Sequence, residues 1–166
     1  MGQCAEIDAQ RFDELGLLYS EELWNKTNFQ RELPNKFEFS HIVFDGSQDV
    51  QGFWIASRKE SNTHHTHRVA IRKRASSISR IKLGSLMGER SRQVARQAGC
   101  DQAQLTVNRE NKVAISFYNK MGYRIVRGEE LRSWVAADGS YPDKSLADDS
   151  IVVTNEYRLA FMKCDI

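Results

Sequence analysis

Residues 105–123, Leu-Thr-Val-Asn-Arg-Glu-Asn-Lys-Val-Ala-Ile-Ser-Phe-Tyr-Asn-Lys-Met-Gly-Tyr, decide the fold. Ala103, Leu105 and Val107 alternate with polar residues, which predicts a strand with one apolar face. Residues 108–111 break the alternation, and Asn111 has the chemistry of an N-cap, a side-chain oxygen that accepts an orphan backbone N–H. Ala114, Ile115, Tyr118 and Met121 then recur at helical spacing, and Gly122 suits the left-handed position just past a helix end. Tyr123, Ile125 and Arg127 restart an extended alternation. Strand, turn, helix, glycine stop and strand in that order hold one phenol, Tyr118, at a fixed offset from a strand end. Periodicity alone reads that ring as packed core.

Working outward, residues 8–24 predict an amphipathic helix with Phe12, Leu15, Tyr19 and Leu23 on one face. Residues 25–35, with Pro34 near their end, read as a turn or broken helix. Residues 37–44 and 50–58 predict two strands joined by a hairpin at Asp45-Gly46-Ser47-Gln48-Asp49. A third strand is expected at residues 65–73, centred on Val69 and Ile71. From Ile81 a longer helix sets Leu83, Leu86, Met87, Val94 and Ala98 on one face until Gly99 ends it. Residues 151–163 close the chain as one long strand or two short ones. This mixture predicts an α/β sandwich, a mostly antiparallel sheet of six to seven strands with helices on both faces.

With 166 residues the chain is one domain's worth, expected as a single unit over 1–166. No stretch approaches the ~18 apolar residues of a membrane span, and the first residues lack a signal peptide's apolar core, so a cytoplasmic protein is expected. Cys4, Cys100 and Cys164 are odd in number and widely spaced, which reads as free thiols in a reducing compartment. The net charge of +2 hides an uneven distribution: residues 58–96 hold eleven Arg or Lys against two Glu, while residues 129–149 hold six Asp or Glu against Arg132 and Lys144. A polyphosphorylated ligand and a cationic second ligand fit these two surfaces, as does plain solvation. The basic segment lacks the interleaved aromatics of a nucleic-acid binder.

Asn111-x-x-Ala114-x-x-Phe117-Tyr118-Asn119-Lys120-Met121-Gly122-Tyr123 closely resembles the fourth motif of the GNAT superfamily of N-acetyltransferases, often written Asn-x-x-Ala-x-x-Phe-Tyr-Glu-Lys-x-Gly-Phe. The resemblance covers residues 37–161. It implies that the strands ending near Lys73 and Val107 splay apart around acetyl-CoA, which donates an acetyl group directly to a primary amine of a small molecule or peptide. One departure is at the start, where that family usually has a strand before its first helix.

The resemblance also assigns roles. Tyr118 matches the general acid that protonates the departing CoA thiolate, and Asn111 the asparagine that contacts the pantetheine arm. A backbone N–H among Val69, Ala70, Ile71 and Arg72 would polarise the acetyl oxygen. The pyrophosphate would sit where Ser79, Arg80, Ile81, Lys82, Leu83, Gly84 and Ser85 lead into the longer helix, whose first amides carry partial positive charge. The family's Arg/Gln-x-x-Gly-x-Gly/Ala keeps only its last glycine here, Gly84. Ser79 stands for Arg/Gln, and Lys82 replaces a glycine. Ser76 and Ser77 add hydroxyls, and Arg72, Lys73 and Arg74 could meet the 3′-phosphate.

The general base is open. His67 is the first choice, because it shares strand parity with Val69 and Ile71 and titrates near neutrality; Glu110 and Glu156 follow. His64, His65 and His67, with His41, invite a zinc reading, but no Cys or carboxylate sits beside them, and no metal is expected. Residues 129–149, with Trp134 and Tyr141, form either a lid over the amine or a surface loop. The reading is thus an acetyl-CoA-dependent N-acetyltransferase, with a non-catalytic CoA-binding or regulatory relative as the alternative. The acceptor, the acyl length and homodimer formation stay open.

Overall fold

The computed structural model describes residues 2–20, 22–59, 62–73, 77–138, 145–148, 151–154 and 157–166. Helix α1 (Gly2–Leu15) is followed by a 3-10 turn (Gly16–Leu18), α2 (Lys26–Gln30) and α3 (Lys36–Phe39). Strands β1 (His41–Phe44), β2 (Val50–Lys59) and β3 (Thr63–Ile71) lead into α4 (Ser77–Gln97). Then come β4 (Gln102–Asn108), α5 (Lys112–Lys120), β5 (Arg124–Ile125), α6 (Gly128–Asp138), β6 (Ser145–Asp148), β7 (Ile151–Thr154) and β8 (Tyr157–Asp165).

Among the described residues eight strands share one sheet in the order β1-β2-β3-β4-β8-β7-β6, with β5 added to the edge of β8. Long β8 serves two neighbours on one edge: β5 pairs with it at Met162 and Lys163, β7 at Tyr157 to Leu159. Only β3 and β4 run parallel among the described strands. The expected α/β architecture is therefore the observed one.

Alternation along β2 separates the two faces. Phe53 and Ile55 join Cys4, Ile7 and Phe29 in a core under α1 and α2. Trp54 and Ala56 join Phe39, Met87 and Ala95 under α3 and α4, with Phe117, Tyr118 and Met121 of α5 packed against them. Helix α4 approaches this face closely at Gly88, where an added Cβ would lie 2.7 Å from the Trp54 ring and 2.5 Å from Met121 Cε. Below α5, Leu105, Ile115, Tyr123 and Met162 form a third cluster.

The boundaries differ from the sequence reading for identifiable reasons. The first helix begins at Gly2 and ends at Leu15, because Gly16 turns the chain with φ +51. Tyr19 and Leu23 therefore lie beyond it. Residues 37–39 are helical and not part of β1: Asn35 enters with φ 54, and the buried Lys36 ammonium binds the carbonyls of Asn28, Phe29 and Arg31. Helix α4 starts at Ser77, ahead of the expected Ile81. The extended run after Tyr123 shortens to Arg124–Ile125, since Gly128 (φ 56) opens α6. Of residues 129–149, expected as lid or loop, 129–138 belong to that helix, 145–148 form β6 and the others lie outside the described residues; Leu131 and Trp134 pack on Leu159 and Phe161.

The 105–123 segment folds as read. Asn111 Oδ1 accepts the Ala114 N–H at 3.0 Å. At the other end of α5, Gly122 takes φ 89, its N–H reaches Asn119 O, and Tyr123 N–H reaches Tyr118 O, each at 3.0 Å. That paired arrangement satisfies two orphan carbonyls of the last turn.

Candidate active site

The parallel pairing of β3 with β4 runs from Thr63 and Gln102 only as far as Thr66 and Leu105. Beyond it β3 continues against β2 to Ile71, and β4 against β8 to Asn108. The sheet therefore opens, and alternate backbone N–H and C=O groups of β3 face the gap without a strand partner. A cavity of about 1020 Å³ runs through the opening.

One side of this cavity comes from α4 and α5, with Arg80, Ile81, Gly84, Phe117 and Tyr118. The half-buried Tyr118 ring rests edge-on against Trp54, Phe117 and Tyr123, with centroids 6.4, 5.2 and 5.7 Å away. Burial pushes its phenol above the ordinary tyrosine value, so the hydroxyl keeps its proton at neutral pH. Gly84 thins the wall here: a Cβ would come 3.1 Å from the Phe117 ring and 3.4 Å from Ile71 Cδ1.

The opposite side is built from β3, whose His67 and Val69 to Ile71 were expected at the site, and from the segment after α1, which sequence reading missed along with Asp8 and Arg68. A bulge interrupts the β2–β3 register at Ile55/Ala56, where Arg68 faces Ile55 and Thr66 faces Ala56, leaving His67 as the extra residue. The bulge shifts strand parity. His67 bonds Ser57 Oγ through Nε2 at 2.7 Å and lies edge-on to His65 at 4.6 Å. Arg68 then points toward α1, whereas Val69 and Ile71 pack toward α4. The parity argument for His67 therefore does not hold, although its ring lines the cavity.

Arg68 is the hub of this side. Its Nε and Nη2 bind Asp8 Oδ1 and Oδ2, both at 2.7 Å, Nη2 also reaches Glu22 O at 2.6 Å, and Nη1 binds Ser20 Oγ. Tyr19 and Trp24 lie against the guanidinium at 4.7 and 5.2 Å. Asp8 in turn accepts the Tyr19 hydroxyl at 2.6 Å and the Trp24 N–H at 2.9 Å. Asp8 is fully buried and Arg68 nearly so. Removing one partner of such a pair costs roughly 3–5 kcal/mol, because the other charge is left buried and alone. Asp8 and Arg68 are 60 positions apart, and no short-range pattern joins them.

Burial dominates the histidines as well. It lowers His67 to about 4, helped by the charges of Lys59, Lys36 and Arg31. His64, bound to Ser91 Oγ at 2.7 Å on the other face, is also lowered to about 4, mainly by burial. His65 is held well below the usual imidazole value, again chiefly by burial. Among the described residues no three His, Cys, Asp or Glu side chains converge as metal ligands would.

The remaining sequence-derived residues divide. Val69, Ala70, Ile71, Arg80, Ile81, Gly84, Asn111 and Tyr118 line the cavity with His67 and Glu110. Arg72 is turned away: its N–H binds Gln51 O and its Nε binds Val50 O, each at 2.8 Å, so its amide does not serve the gap. Lys82, Leu83 and Ser85 sit in α4 outside the cavity lining. Ser79 also lies within α4, so the segment 79–84 is helix and not a loop before it. Helix geometry then leaves the N–H groups of Ser77, Ile78 and Ser79 in the first turn without intrahelical partners. Arg74, Ser76, Tyr141 and Glu156 lie outside the described residues. Asn111 spends its Nδ2 on Leu18 O at 2.9 Å, tying α5 to the 3-10 turn across the cavity.

A mixed sheet opened between two parallel strands, with a helix N-terminus on one side and a phenol in the gap, defines an acyl-CoA-dependent acyltransferase fold. The chain belongs to the acetyltransferase (GNAT) family, whose model matches residues 7–123. Similar solved structures include a GNAT-family acetyltransferase from Staphylococcus aureus Mu50, 15% identical with a TM-score of 0.67 over 99% of this chain and 91% of that one. The PaiA N-acetyltransferase of Thermoplasma acidophilum, solved with coenzyme A, is 14% identical with a TM-score of 0.64 over 99% and 92%. Nourseothricin acetyltransferase is 16% identical with a TM-score of 0.54 over 76% of this chain, which covers 64% of that chain's length. A search of curated proteins finds no match.

The residues present fit acetyl-CoA. The gap offers backbone donors on β3, the first turn of α4 offers amides with no partner inside the helix beside Arg80, and Gly84 leaves the wall without a side chain at its closest approach.

Proposed function

We propose that this chain moves an acetyl group from acetyl-CoA to a primary amine of a small molecule or peptide by direct attack. The observation that carries the reading is the parting of β3 from β4 after Thr66 and Leu105, with Tyr118 lining the gap. Bound acetyl-CoA supplies an activated thioester. The first turn of α4 and Arg80 hold its phosphates, and gap-facing amides among Val69, Ala70 and Ile71 polarise the acetyl oxygen.

Tyr118 Oη is the proton donor to the departing sulfur. Its raised pKa looks like a handicap, since a thiol titrates near 8.5 in water. The same dry surroundings also destabilise a thiolate, which narrows the mismatch. An amine with pKa ~10.4 enters mostly charged, and losing its first proton costs about 4–5 kcal/mol at pH 7. His67, lowered to about 4, is too weak to take that proton directly. We assign it the second one, shed by the far more acidic nitrogen as the C–N bond forms, with Ser57 Oγ steadying the ring.

Among the described residues no helix is long and apolar enough to cross a membrane. All three cysteines are free, which supports a reducing, cytoplasmic setting. One observation favours a non-catalytic CoA-binding alternative: the segment 79–84 lies inside α4, so fewer of its amides are free for phosphate. Acetyl-CoA at 100 times its Kd should stabilise the chain by about 2.7 kcal/mol. Thiol release should then follow on adding primary amines. Stabilisation without thiol release selects the alternative, and neither at millimolar acetyl-CoA refutes both.

A further inference from the structure

The proton and phosphate chemistry above leaves the buried Asp8–Arg68 pair unused, although Arg68 lines the cavity. We infer that Asp8 and Arg68 are positioning residues that build the acceptor wall of the site, an inference resting on the proposed acetyl transfer. Three observations converge on it.

Residues 19–24 carry no helix or strand in the described positions, so beyond a few short-range bonds at Tyr19, Ser20, Glu22 and Trp24 no regular element fixes their course. Their anchors are the pair itself: Tyr19 Oη and Trp24 N on Asp8, Ser20 Oγ and Glu22 O on Arg68. Tyr19 and Trp24 also close over the guanidinium, so the rings and the ion pair stand or fall together. Second, this segment lies on the α1 side of the sheet, across the gap from Tyr118, Arg80 and Gly84. A donor held by α4 presents its acetyl group toward that side, so the wall meets the acceptor and not the phosphates. Third, the guanidinium is committed inward to Asp8, while the Glu22 carboxylate, held by Trp24 Nε1 at 3.0 Å, stays exposed. The wall therefore lines the cavity with two half-buried aromatic side chains and one carboxylate.

The test compares wild type, Asp8→Asn, which keeps the shape but removes the charge, and Tyr19→Phe, which removes only one anchor and keeps the fold if Asp8→Asn does not. Tyramine and 1,4-diaminobutane serve as acceptor probes, acetyl-CoA as donor. Titration calorimetry gives the acetyl-CoA Kd, thiol release gives kcat and the amine KM, and hydrogen exchange gives protection of the residue 19–24 amides. Expected for Tyr19→Phe is a three- to tenfold rise in amine KM, and for Asp8→Asn at least tenfold. The acetyl-CoA Kd and kcat at saturating amine should stay within about twofold. Equal losses toward both ligands, or unchanged amine KM in a variant that still unfolds cooperatively, overturn the inference. If wild type acetylates neither probe, exchange decides: protection lost only at residues 19–24 supports a built wall, and unchanged protection there overturns it. Lack of acetyl-CoA binding by wild type refutes the transferase reading itself and is seen separately, in the calorimetry.

Discussion

The two sides of the gap were assembled by different physics. On the α4 and α5 side, the strand end, the cap, the phenol and the glycine stop all fall within residues 105–123. Their arrangement follows from helix geometry and two capped ends. On the α1 side, Asp8, Tyr19, Trp24 and Arg68 come from three separate parts of the chain, and a buried charge pair holds them. A site can thus be half local and half long-range. The local half then carries a motif, and the other half carries none.

That contrast can be broken at its strongest point first. Tyr118→Phe keeps the ring contacts with Trp54, Phe117 and Tyr123 while deleting the hydroxyl. The expected loss is about 10²–10⁴-fold in kcat, the usual worth of a positioned proton donor, with acetyl-CoA affinity unchanged. Steady-state thiol release together with calorimetry checks this. A wild-type rate would remove the phenol from the chemistry and leave the local half a mere scaffold.

Acid titration comes next in size. His64 and His67 sit at about 4 and His65 below its usual value, all mainly from burial. Between pH ~4 and the ordinary ~6.5, the unfolded chain binds protons that the folded chain refuses. Stability therefore falls as pH drops through that window, by at most ~1.4 kcal/mol per pH unit for each ring, and these rings add no slope above it. Thermal unfolding from pH 4 to 7 should show this decline. His67→Gln should flatten it in part, since His41, also lowered by burial, and the other two rings still contribute, and an unchanged slope would mean that His67 is not held neutral.

The smallest effect tests the seam. Asn111 caps α5 through Oδ1 and grips Leu18 O through Nδ2, so it belongs to both halves. Asn111→Ala should cost about 0.5–2 kcal/mol in denaturant unfolding, the range of a lost cap. If the 3-10 turn depends on that grip, exchange at Gly16–Leu18 should rise as well. Stability loss without faster exchange would show the two halves to be independent.

The comparison also explains what was legible. The α/β class and the run from β4 through α5 could be read because alternation, capping and glycine stops act over a few residues. The first helix was misplaced because apolar spacing continues past Gly16 while the backbone does not. Residues 37–39 looked like strand because nothing nearby announces that Lys36 will cap carbonyls five to eight positions back. His67 was argued from a parity that the bulge in β3 cancels, and a bulge depends on the partner strand.

Sequence by itself determined the helix that carries Tyr118, its two ends and the strand before it, since each rests on contacts within a turn or two. Only the tertiary structure decided where β3 leaves β4, which face His67 takes and that Asp8 meets Arg68. Those outcomes depend on strand register and on burying a charge beside its counter-charge, and both are settled between segments far apart in the chain.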